Sequence, residues 1–404
     1  MRVTTAFNRL LAIPGASVCG IRFEQEAVVV GLRRRTRRLV CPRCGCIGRA
    51  GYDARKRRWR HLDLGGVRCL LECELRRFPC PGCGRIVTEA VPWARPGARF
   101  TRAFEQLVAW LAQQAAFSVI ARLLRVSWRS VGRIVTRVVA EQFERRRPRN
   151  LRRIGIDEVS YRRGHRYLTL VCDHRSGAVV WAGEGRSQQT LERFFDELGA
   201  EAAKLELVSL DFFPHYRWAL ERRAPQARLC YDPFHVVALA NFALDRVRTQ
   251  EWQALRRSGA GGQWLKQTRW SVLKRPERLS ERQAETLAIL QRDNARLYRA
   301  YLLKEQLRAL YHADPGDAPA LLEAWLTWAS RSRLRPFVRL ARTLRQHKDG
   351  VLAAIELGLS NSRLEALNSK VRLISHRSFG FHSAEPLIAL IYLCCGAVSV
   401  DLPT

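Results

Sequence analysis

Three carboxylates in the second half of the chain have residue types and positions that suit metal-dependent phosphodiester chemistry. Asp157 and Asp211 each end a run that predicts a strand, and Glu365 lies in a segment with helical spacing. Three carboxylates that converge cannot all stay ionised without cations, and their hard oxygens select Mg²⁺ or Mn²⁺. Two such ions roughly 4 Å apart would activate a water or a 3′-hydroxyl and stabilise the leaving oxygen of an in-line displacement.

The helix that carries Glu365 brings two polar companions. Its apolar stripe is predicted from four residues, which are Leu364, Leu367, Val371 and Ile374. This stripe leaves Asn368 and Arg372 beside Glu365 on an adjacent face, where they would support the site. A plainer interpretation stays open, because Ser362 and Glu365 also have the spacing of a capping box.

Asp232 and His235 follow a further predicted strand and allow two interpretations. Either they hydrogen-bond to the carboxylate site or contact the strand that is cut, or they are a strand-end aspartate and a packed histidine. The pattern slightly favours the second interpretation. Asp157 and Asp211 have the same plain alternative, since aspartate is common in strand-end turns.

The cysteines favour a metal over disulfides. The chain has 12 cysteines but no recognisable export signal. A chain of this size also builds a core large enough to be stable without disulfides. Two Cys-x-x-Cys knuckles offer four thiolates at the spacing of one tetrahedral Zn²⁺ ion, namely Cys41, Cys44, Cys80 and Cys83. Such a site has no position for water, so the zinc would be structural. The alternatives are free or buried thiols, or replacement of one ligand by Cys46, Cys69, Cys73 or His61.

The residues between the knuckles predict a hairpin. Residues 57–64 and 67–74 read as two strands around Gly65 and Gly66. With the knuckles, this is the layout of a zinc ribbon, and we predict a zinc-binding module in residues 1–92.

A helix-turn-helix is predicted in residues 96–145. Helical spacing is interrupted before Ser127, which is placed to cap the second helix. Three arginines recur at every fourth position of that helix, namely Arg129, Arg133 and Arg137. Such a row suits a helix that contacts DNA phosphates and guanine edges, although an ordinary helical hairpin with a solvated arginine face is the alternative. Residues 146–151 are predicted to be a basic linker.

From residue 152 the pattern is three strands, a helix, a strand, a helix and a strand. This is the order of a ribonuclease-H-like mixed sheet, although composition alone allows other α/β folds. The sheet is predicted in residues 152–232, and residues 358–404 complete the same core with the helix of Glu365. The predicted fold class is therefore multidomain α/β with a zinc ribbon, a helix-turn-helix and a ribonuclease-H-like catalytic core.

Residues 233–357 carry almost no strand pattern and are predicted to be an all-helical insertion in that core. Long helices are expected over residues 280–311 and 319–346. Three tryptophans near basic residues are either helical core, which is the commoner case, or stacking platforms for a splayed base, and they are Trp252, Trp264 and Trp270.

The charge balance points to a polyanionic partner. The chain has 70 Lys and Arg residues against 37 Asp and Glu residues, a formal net charge of +33. Residues 1–150 hold 31 basic and 10 acidic residues, and residues 151–404 hold 39 and 27. We expect nucleic acid as the partner and a cytoplasmic location. A membrane is not expected, because the apolar run at residues 387–400 is too short to span one.

Four short blocks resemble those of the ISL3 family of bacterial insertion-sequence transposases. They are residues 156–158, 208–216, 232–237 and 360–370. The resemblance covers residues 41–381 and implies a zinc-binding module and a helix-turn-helix ahead of a DDE catalytic core. It implies that Asp157, Asp211 and Glu365 are the metal-binding triad, with a helical insertion between the second and third. Ala366 departs from the glycine expected in many relatives, which should not affect metal binding.

The predicted function is that of a DDE transposase that binds the terminal inverted repeats of an insertion sequence and catalyses metal-dependent DNA cleavage and strand transfer. The expected cofactors are two Mg²⁺ or Mn²⁺ ions and one structural Zn²⁺. The expected partners are double-stranded repeat and target DNA and a second copy of the chain, forming a dimer on DNA in the bacterial nucleoid.

Two other functions are considered. A DNA-binding regulator without catalytic activity would be expected to have lost a carboxylate, and none is lost. A ribonuclease-H-like nuclease that hydrolyses but does not join DNA would share the triad, but the basic N-terminal third argues mildly against it.

Overall fold

The computed structural model describes residues 2–145, 149–212, 214–259, 261–358, 362–378, 380–396 and 398–403 of the 404 residues. Residues 146–148 of the predicted linker and residues 360–361 of the fourth block lie outside this set. None of the helices in the described ranges combines the length and apolarity that crossing a bilayer requires.

The N-terminal module is built on a five-stranded sheet. Its elements are α1 (Val3–Leu11), β1 (Ala16–Glu24), β2 (Ala27–Arg34), β3 (Leu39–Val40), β4 (Ile47–Gly48), β5 (Asp53–Leu64), β6 (Val67–Pro79) and β7 (Ile86–Thr88). β5 and β6 form the predicted hairpin, with Gly65 at a φ of 60° in its turn. β3 and β4 pair only with each other among the described strands. The patterns considered above do not predict α1, β1 or β2.

Three helices follow, namely α2 (Arg102–Ala112), α3 (Phe117–Leu124) and α4 (Trp128–Arg145). α3 and α4 are the predicted helix-turn-helix. Arg125 closes α3 in the left-handed conformation, with a φ of 54°. Ser127 Oγ accepts a hydrogen bond from the backbone N–H of Ser130 at 3.2 Å, which is the predicted cap of α4.

The second large sheet is mixed, with the strand order β10-β9-β8-β11-β12. Its elements are β8 (Arg153–Arg162), β9 (Arg166–Asp173), β10 (Val179–Glu184), α5 (Gln188–Leu198), β11 (Leu207–Leu210), α6 (Pro214–Arg223) and β12 (Arg228–Tyr231). The first three strands are antiparallel, whereas β11 is parallel to β8 and β12. One expectation is wrong: Asp157 lies within β8 and not at its end, because β8 continues to Arg162 as a hairpin with β9.

The rest of the described chain is helical. Its helices are α7 (Pro233–Arg257), α8 (Gln263–Gln267), α9 (Arg269–Leu273), α10 (Glu281–Asp293), α11 (Ala295–Leu310), α12 (Ala318–Arg331), α13 (Arg335–Gln346), α14 (Lys348–Glu356), α15 (Ser362–Arg377) and α16 (Ala384–Cys395). The two predicted long helices are each broken. Asn294 caps α11 by accepting from the backbone N–H of Leu297 at 2.8 Å, and Arg333, with a φ of 58°, separates α12 from α13.

The three tryptophans near basic residues differ in their burial. Trp252 is half-buried against the core of the helical part. Trp264 and Trp270 are 39% and 57% exposed, so the expectation that all three are core residues is wrong for these two.

Two hydrophobic cores enclose the mixed sheet. One core joins one sheet face to α5–α7 and α10–α14. The other joins the opposite face to α15 and α16 and also to α2–α4, so that Phe104 and Ile134 lie in the same core as Leu364 and Leu387. The helix-turn-helix, expected to be a separate domain, therefore shares its core with the catalytic sheet.

Candidate active site and zinc centre

The four knuckle cysteines converge at one point. One sulfur from each lies within 4.8 Å of the others in the cluster of Cys41, Cys44, Cys80 and Cys83. The Sγ atoms are 3.9 Å apart for Cys41 and Cys83, and 3.4 Å apart for Cys44 and Cys80. Four sulfurs bound at about 2.3 Å in a tetrahedron lie about 3.8 Å apart, so this donor set fits zinc.

Both knuckles have the same backbone geometry. Gly45 N–H donates to Cys41 O at 3.1 Å, and Gly84 N–H donates to Cys80 O at 2.9 Å. These glycines have φ values of 74° and 66°, a region that disfavours other residues. The backbone N–H of Cys44 lowers the pKa of the Cys41 thiol to about 6, so a thiolate ligand is available at neutral pH.

Three of the alternative zinc ligands lie elsewhere, and Cys46 lies beside the cluster without being part of it. Cys69 and Cys73 are buried in the core of the N-terminal sheet, and burial raises the pKa of both thiols to about 11. The ring Nδ1 of His61 is 2.9 Å from Thr101 Oγ1. Cys46 stands outside the four-sulfur cluster and packs over Gly82, where an added Cβ would lie 2.4 Å from its sulfur.

The register of the mixed sheet places three aspartates side by side, at the same level along three neighbouring strands. In the parallel ladders Leu210 pairs with Ile156 on one side and with Tyr231 on the other. The next residue of each strand is an aspartate, and these are Asp157, Asp211 and Asp232. Because side chains alternate along a strand, the shared register turns these three residues toward the same face.

Asp157 is the most deeply held of the catalytic candidates, with 8% of its surface exposed. Its Oδ1 accepts from the backbone N–H of Glu158, and its Oδ2 accepts from Nδ2 of Asn368, both at 2.6 Å. Burial and the negative charge of Asp211 nevertheless raise the pKa of Asp157 to about 7. A cation placed here would restore the ionised form.

Asp211 and His235 are neighbours, which corrects the expectation of an ordinary packed histidine. His235 Nε2 is 2.9 Å from Asp211 Oδ1 and 3.9 Å from Asp232 Oδ2. Burial lowers the pKa of His235, but the contact with Asp211 and the charges of Asp232 and Asp157 outweigh it, so the pKa lies above its usual value. Asp211 Oδ1 is buried and lies against His235 Nε2, so a hard cation bound at this oxygen would share or replace that contact.

α15 docks on β8 at a glycine. A Cβ at Gly155 would lie 2.5 Å from Leu364 Cδ1, so the absence of a side chain lets the helix approach the strand. This contact sets Asn368 over Asp157. Asn368 is buried, and its Oδ1 has no hydrogen-bond partner in the described parts of the chain.

Glu365 lies one turn before Asn368 and is exposed. Asp157, Asp211 and Glu365 do not bring one oxygen each within 4.8 Å of the others in the described structure. Glu365 instead lines a cavity of about 500 Å³ that it shares with Asp232. The cavity wall also contains three cations, Arg275, Lys304 and Arg308. Arg372 is exposed one turn beyond Asn368.

The arginine row of α4 is divided. Arg129 and Arg133 are exposed, but Arg137 Nη1 is 2.5 Å from Oε1 of Glu105, which is fully buried in α2. Arg137 therefore holds α4 on α2, which distinguishes it from Arg129 and Arg133, and its contact with DNA stays a prediction.

Family models match three parts of the chain. Residues 37–83 match a zinc-finger of transposases, residues 89–139 match the helix-turn-helix domain of transposase family ISL3, and residues 154–391 match the ISL3 transposase domain with the DDE core. The last of these covers more than half of the chain. The chain belongs to the ISL3 family of transposases.

Curated proteins similar to this transposase are also transposases. The transposase for insertion sequence element IS1557 of Mycobacterium tuberculosis is 42% identical, over 100% of this chain and 98% of that protein. The transposase for IS1001 of Bordetella parapertussis is 28% identical over 86% of each chain. A solved structure of the Drosophila P element transposase strand transfer complex aligns with 73% of this chain and 92% of its own, at a TM-score of 0.37 and 9% identity.

The predicted family, zinc ribbon, helix-turn-helix and mixed α/β core are thus confirmed. The transposase is a DNA-binding enzyme whose family chemistry requires a divalent metal, and its four-cysteine ribbon is a zinc-type site. The cationic wall of the cavity was not predicted. Arg275, Lys304 and Arg308 have no motif, and they are brought to Glu365 by helix packing alone.

Proposed function

We propose that this transposase binds the terminal inverted repeats of its insertion sequence and cuts and joins DNA at the edge of its mixed sheet. The sheet order, three antiparallel strands followed by two parallel ones, supports a ribonuclease-H-like core. On this view, α7–α14 are a helical insertion between the second and third members of the catalytic triad.

The carboxylates of the triad are Asp157, Asp211 and Glu365. The observation that best supports their role is the shared level of Asp157 and Asp211 on adjacent parallel strands, with a raised pKa at Asp157. When bound, two Mg²⁺ or Mn²⁺ ions would supply Lewis-acid activation of the attacking oxygen and charge stabilisation at the leaving oxygen. Glu365, whose side chain on α15 is exposed, would have to move to join the aspartates.

The residues around the triad hold it in place. Asn368 fixes Asp157 by donating to its Oδ2, and His235 faces Asp211. Asp232 caps α7 by accepting from the backbone N–H of Phe234 at 3.4 Å, so it orients the helix that carries His235. Arg372 would act on DNA that passes over α15.

DNA enters from both sides of this site. Arg275, which has no ion-pair partner among the described residues, would contact phosphates that flank the cut. The helix-turn-helix and the basic N-terminal module would hold the repeat, and one structural Zn²⁺ ion would keep the knuckles folded. Because two ends must be joined to one target, a dimer on DNA is the simplest assembly.

Cleavage of a labelled duplex that carries the element's end tests this proposal. In Mg²⁺ we expect a nick at the boundary between element and flank, followed by joining to a second duplex. Cutting without joining would indicate a nuclease, and binding without cutting would indicate the regulator.

A further inference from the structure

The exposed arginines of α4 face a cleft and not open solvent. This cleft, of about 690 Å³, is called the α4 cleft below. One wall includes Arg129, Arg133 and Thr136, and the other includes Phe381 and His382 from the segment between α15 and α16 and Glu385 from the first turn of α16. The helix-turn-helix and the catalytic core therefore each supply one wall.

The second wall is fixed by three contacts, one between Arg377 and α2 and two with the helix-turn-helix. Arg377 donates from Nη1 to Gln113 O at 3.0 Å and from Nη2 to Ala112 O at 2.9 Å, at the C-terminal end of α2. Phe381 meets Phe117 edge-on with ring centroids 6.0 Å apart. The ring of His382 is 5.9 Å from that of Trp128, the first residue of α4. The two walls therefore form one surface.

This placement changes how α4 contacts DNA. A recognition helix lies in a major groove about 12 Å wide and presents its N-terminal residues to base edges. Here His382 of the second wall lies beside Trp128 at the N-terminal end of α4. A sugar-phosphate strand that reaches Arg129 and Arg133 along the cleft therefore also meets the second wall.

The charge and residue types of the cleft match such a strand. Arg129 and Arg133 have no ion-pair partner among the described residues, whereas Arg137 is neutralised by Glu105. Glu385 is the single carboxylate among the described lining residues. Trp128 is 50% exposed and His382 is exposed, and such aromatic rings stack on bases or pack on sugars without reading the sequence.

We propose that the α4 cleft binds one DNA strand by its backbone, with Arg129 and Arg133 on phosphates and the Trp128–His382 pair against the adjacent nucleotide. The DNA interface is then composite, and the segment between α15 and α16 is part of it. This inference rests on the proposed function only in taking DNA as the ligand.

The test measures binding by the full-length chain to an end duplex and to a random duplex, without divalent metal and from 50 to 200 mM salt. For Arg133→Ala, affinity should fall by the same factor for both duplexes. The slope of log K against log salt should become less negative by about 0.9, so the variant should lose about 3.5-fold less affinity across this range. A selective loss on the end duplex would show base reading and overturn the proposal.

His382→Ala tests the second wall. Its affinity for both duplexes should fall by about 5-fold or more, which corresponds to the loss of one stacked ring. His165→Ala, in the exposed turn between β8 and β9, is the matched control and should bind normally. Normal binding by His382→Ala would remove the catalytic core from the interface. Because no cleavage is measured, a catalytically inactive chain would still give these results.

Discussion

The chain contains two clusters of metal-binding residue types, and they are assembled in opposite ways. The zinc cluster takes all its ligands from two knuckles between Cys41 and Cys83, each closed by its own backbone hydrogen bonds. The proposed carboxylate site would instead take its ligands from segments that are far apart in the chain, at Asp157 in β8, at Asp211 directly after β11 and at Glu365 in α15.

This difference matches the two tasks. Four sulfurs surround one point and leave no open position, as a structural ion requires. The carboxylate site is incomplete by comparison. Burial and the negative charge of Asp211 raise the pKa of Asp157, and Glu365 stays exposed in its cavity. A catalytic site that must admit metal and DNA needs such an incomplete arrangement, and its pieces are aligned by the rest of the fold.

The largest effect is expected from Asp211→Asn. It removes an anionic metal ligand, and we expect DNA cleavage to fall at least about 1,000-fold, since metal stabilisation of the transition state is worth several kcal/mol. Binding to end DNA should be unchanged, as measured by gel shift. Asp196→Asn, which alters an exposed carboxylate on α5, is the matched control. Cleavage by Asp211→Asn within 10-fold of normal would be incompatible with a ligand role.

Glu365→Gln tests the member of the triad that stands apart. We expect cleavage to fall at least about 100-fold, with end binding retained, because an amide oxygen is a weaker ligand than a carboxylate. Glu356→Gln serves as the control, since Glu356 is an exposed residue of α14 that pairs with Arg228 and does not line the cavity. Full activity of Glu365→Gln would leave Asp211, Asp232 and His235 as the metal-binding group.

Cys80→Ser tests whether the four-cysteine cluster holds a structural zinc ion. The variant should lose its zinc and the fold of the knuckles, and end-DNA affinity should fall while the sheet of Asp157 stays folded. Metal analysis and circular dichroism measure both effects. Cys19→Ser changes an exposed cysteine outside the cluster and should keep its zinc. A zinc-loaded Cys80→Ser chain would show that another residue is the fourth ligand.

The smallest effect is on stability and comes from the raised pKa of Asp157. Between pH about 4 and about 7 the folded chain keeps a proton on Asp157 that the unfolded chain releases, so metal-free stability should fall as pH rises through this window. Mg²⁺ should therefore raise the melting temperature by a few degrees at pH 7.5 and by less at pH 5. Asp157→Asn should remove this difference, and persistence of the full Mg²⁺ effect in that variant would place the ion elsewhere.

Much of the site could be predicted because its signals are local. The spacing of the Cys-x-x-Cys knuckles predicts the zinc ligands, and the apolar runs before Asp157 and Asp211 predict the two strands. Both lie at the level expected of neighbouring parallel strands, even though β8 continues past Asp157 into its hairpin with β9.

The remainder depends on contacts between distant segments. Helical spacing predicts the same role for Arg129, Arg133 and Arg137. The packing of α4 on α2, which spacing does not predict, brings Glu105 to Arg137. Likewise, no local pattern places His235 beside Asp211 or the segment after α15 beside α4. Such contacts show which residues hold the fold, and local patterns alone do not.

We expect Asp157 on β8 to be a metal ligand, and Asp232, directly after β12, to orient the site without being essential. Single-turnover cleavage of end DNA in Mg²⁺ by Asp157→Asn and Asp232→Asn compares the two aspartates at the same level of the sheet. We predict no detectable cleavage by Asp157→Asn and reduced but measurable cleavage by Asp232→Asn, with equal DNA binding. Cleavage by Asp157→Asn together with none by Asp232→Asn would contradict the account and move the metal to Asp211, Asp232 and His235.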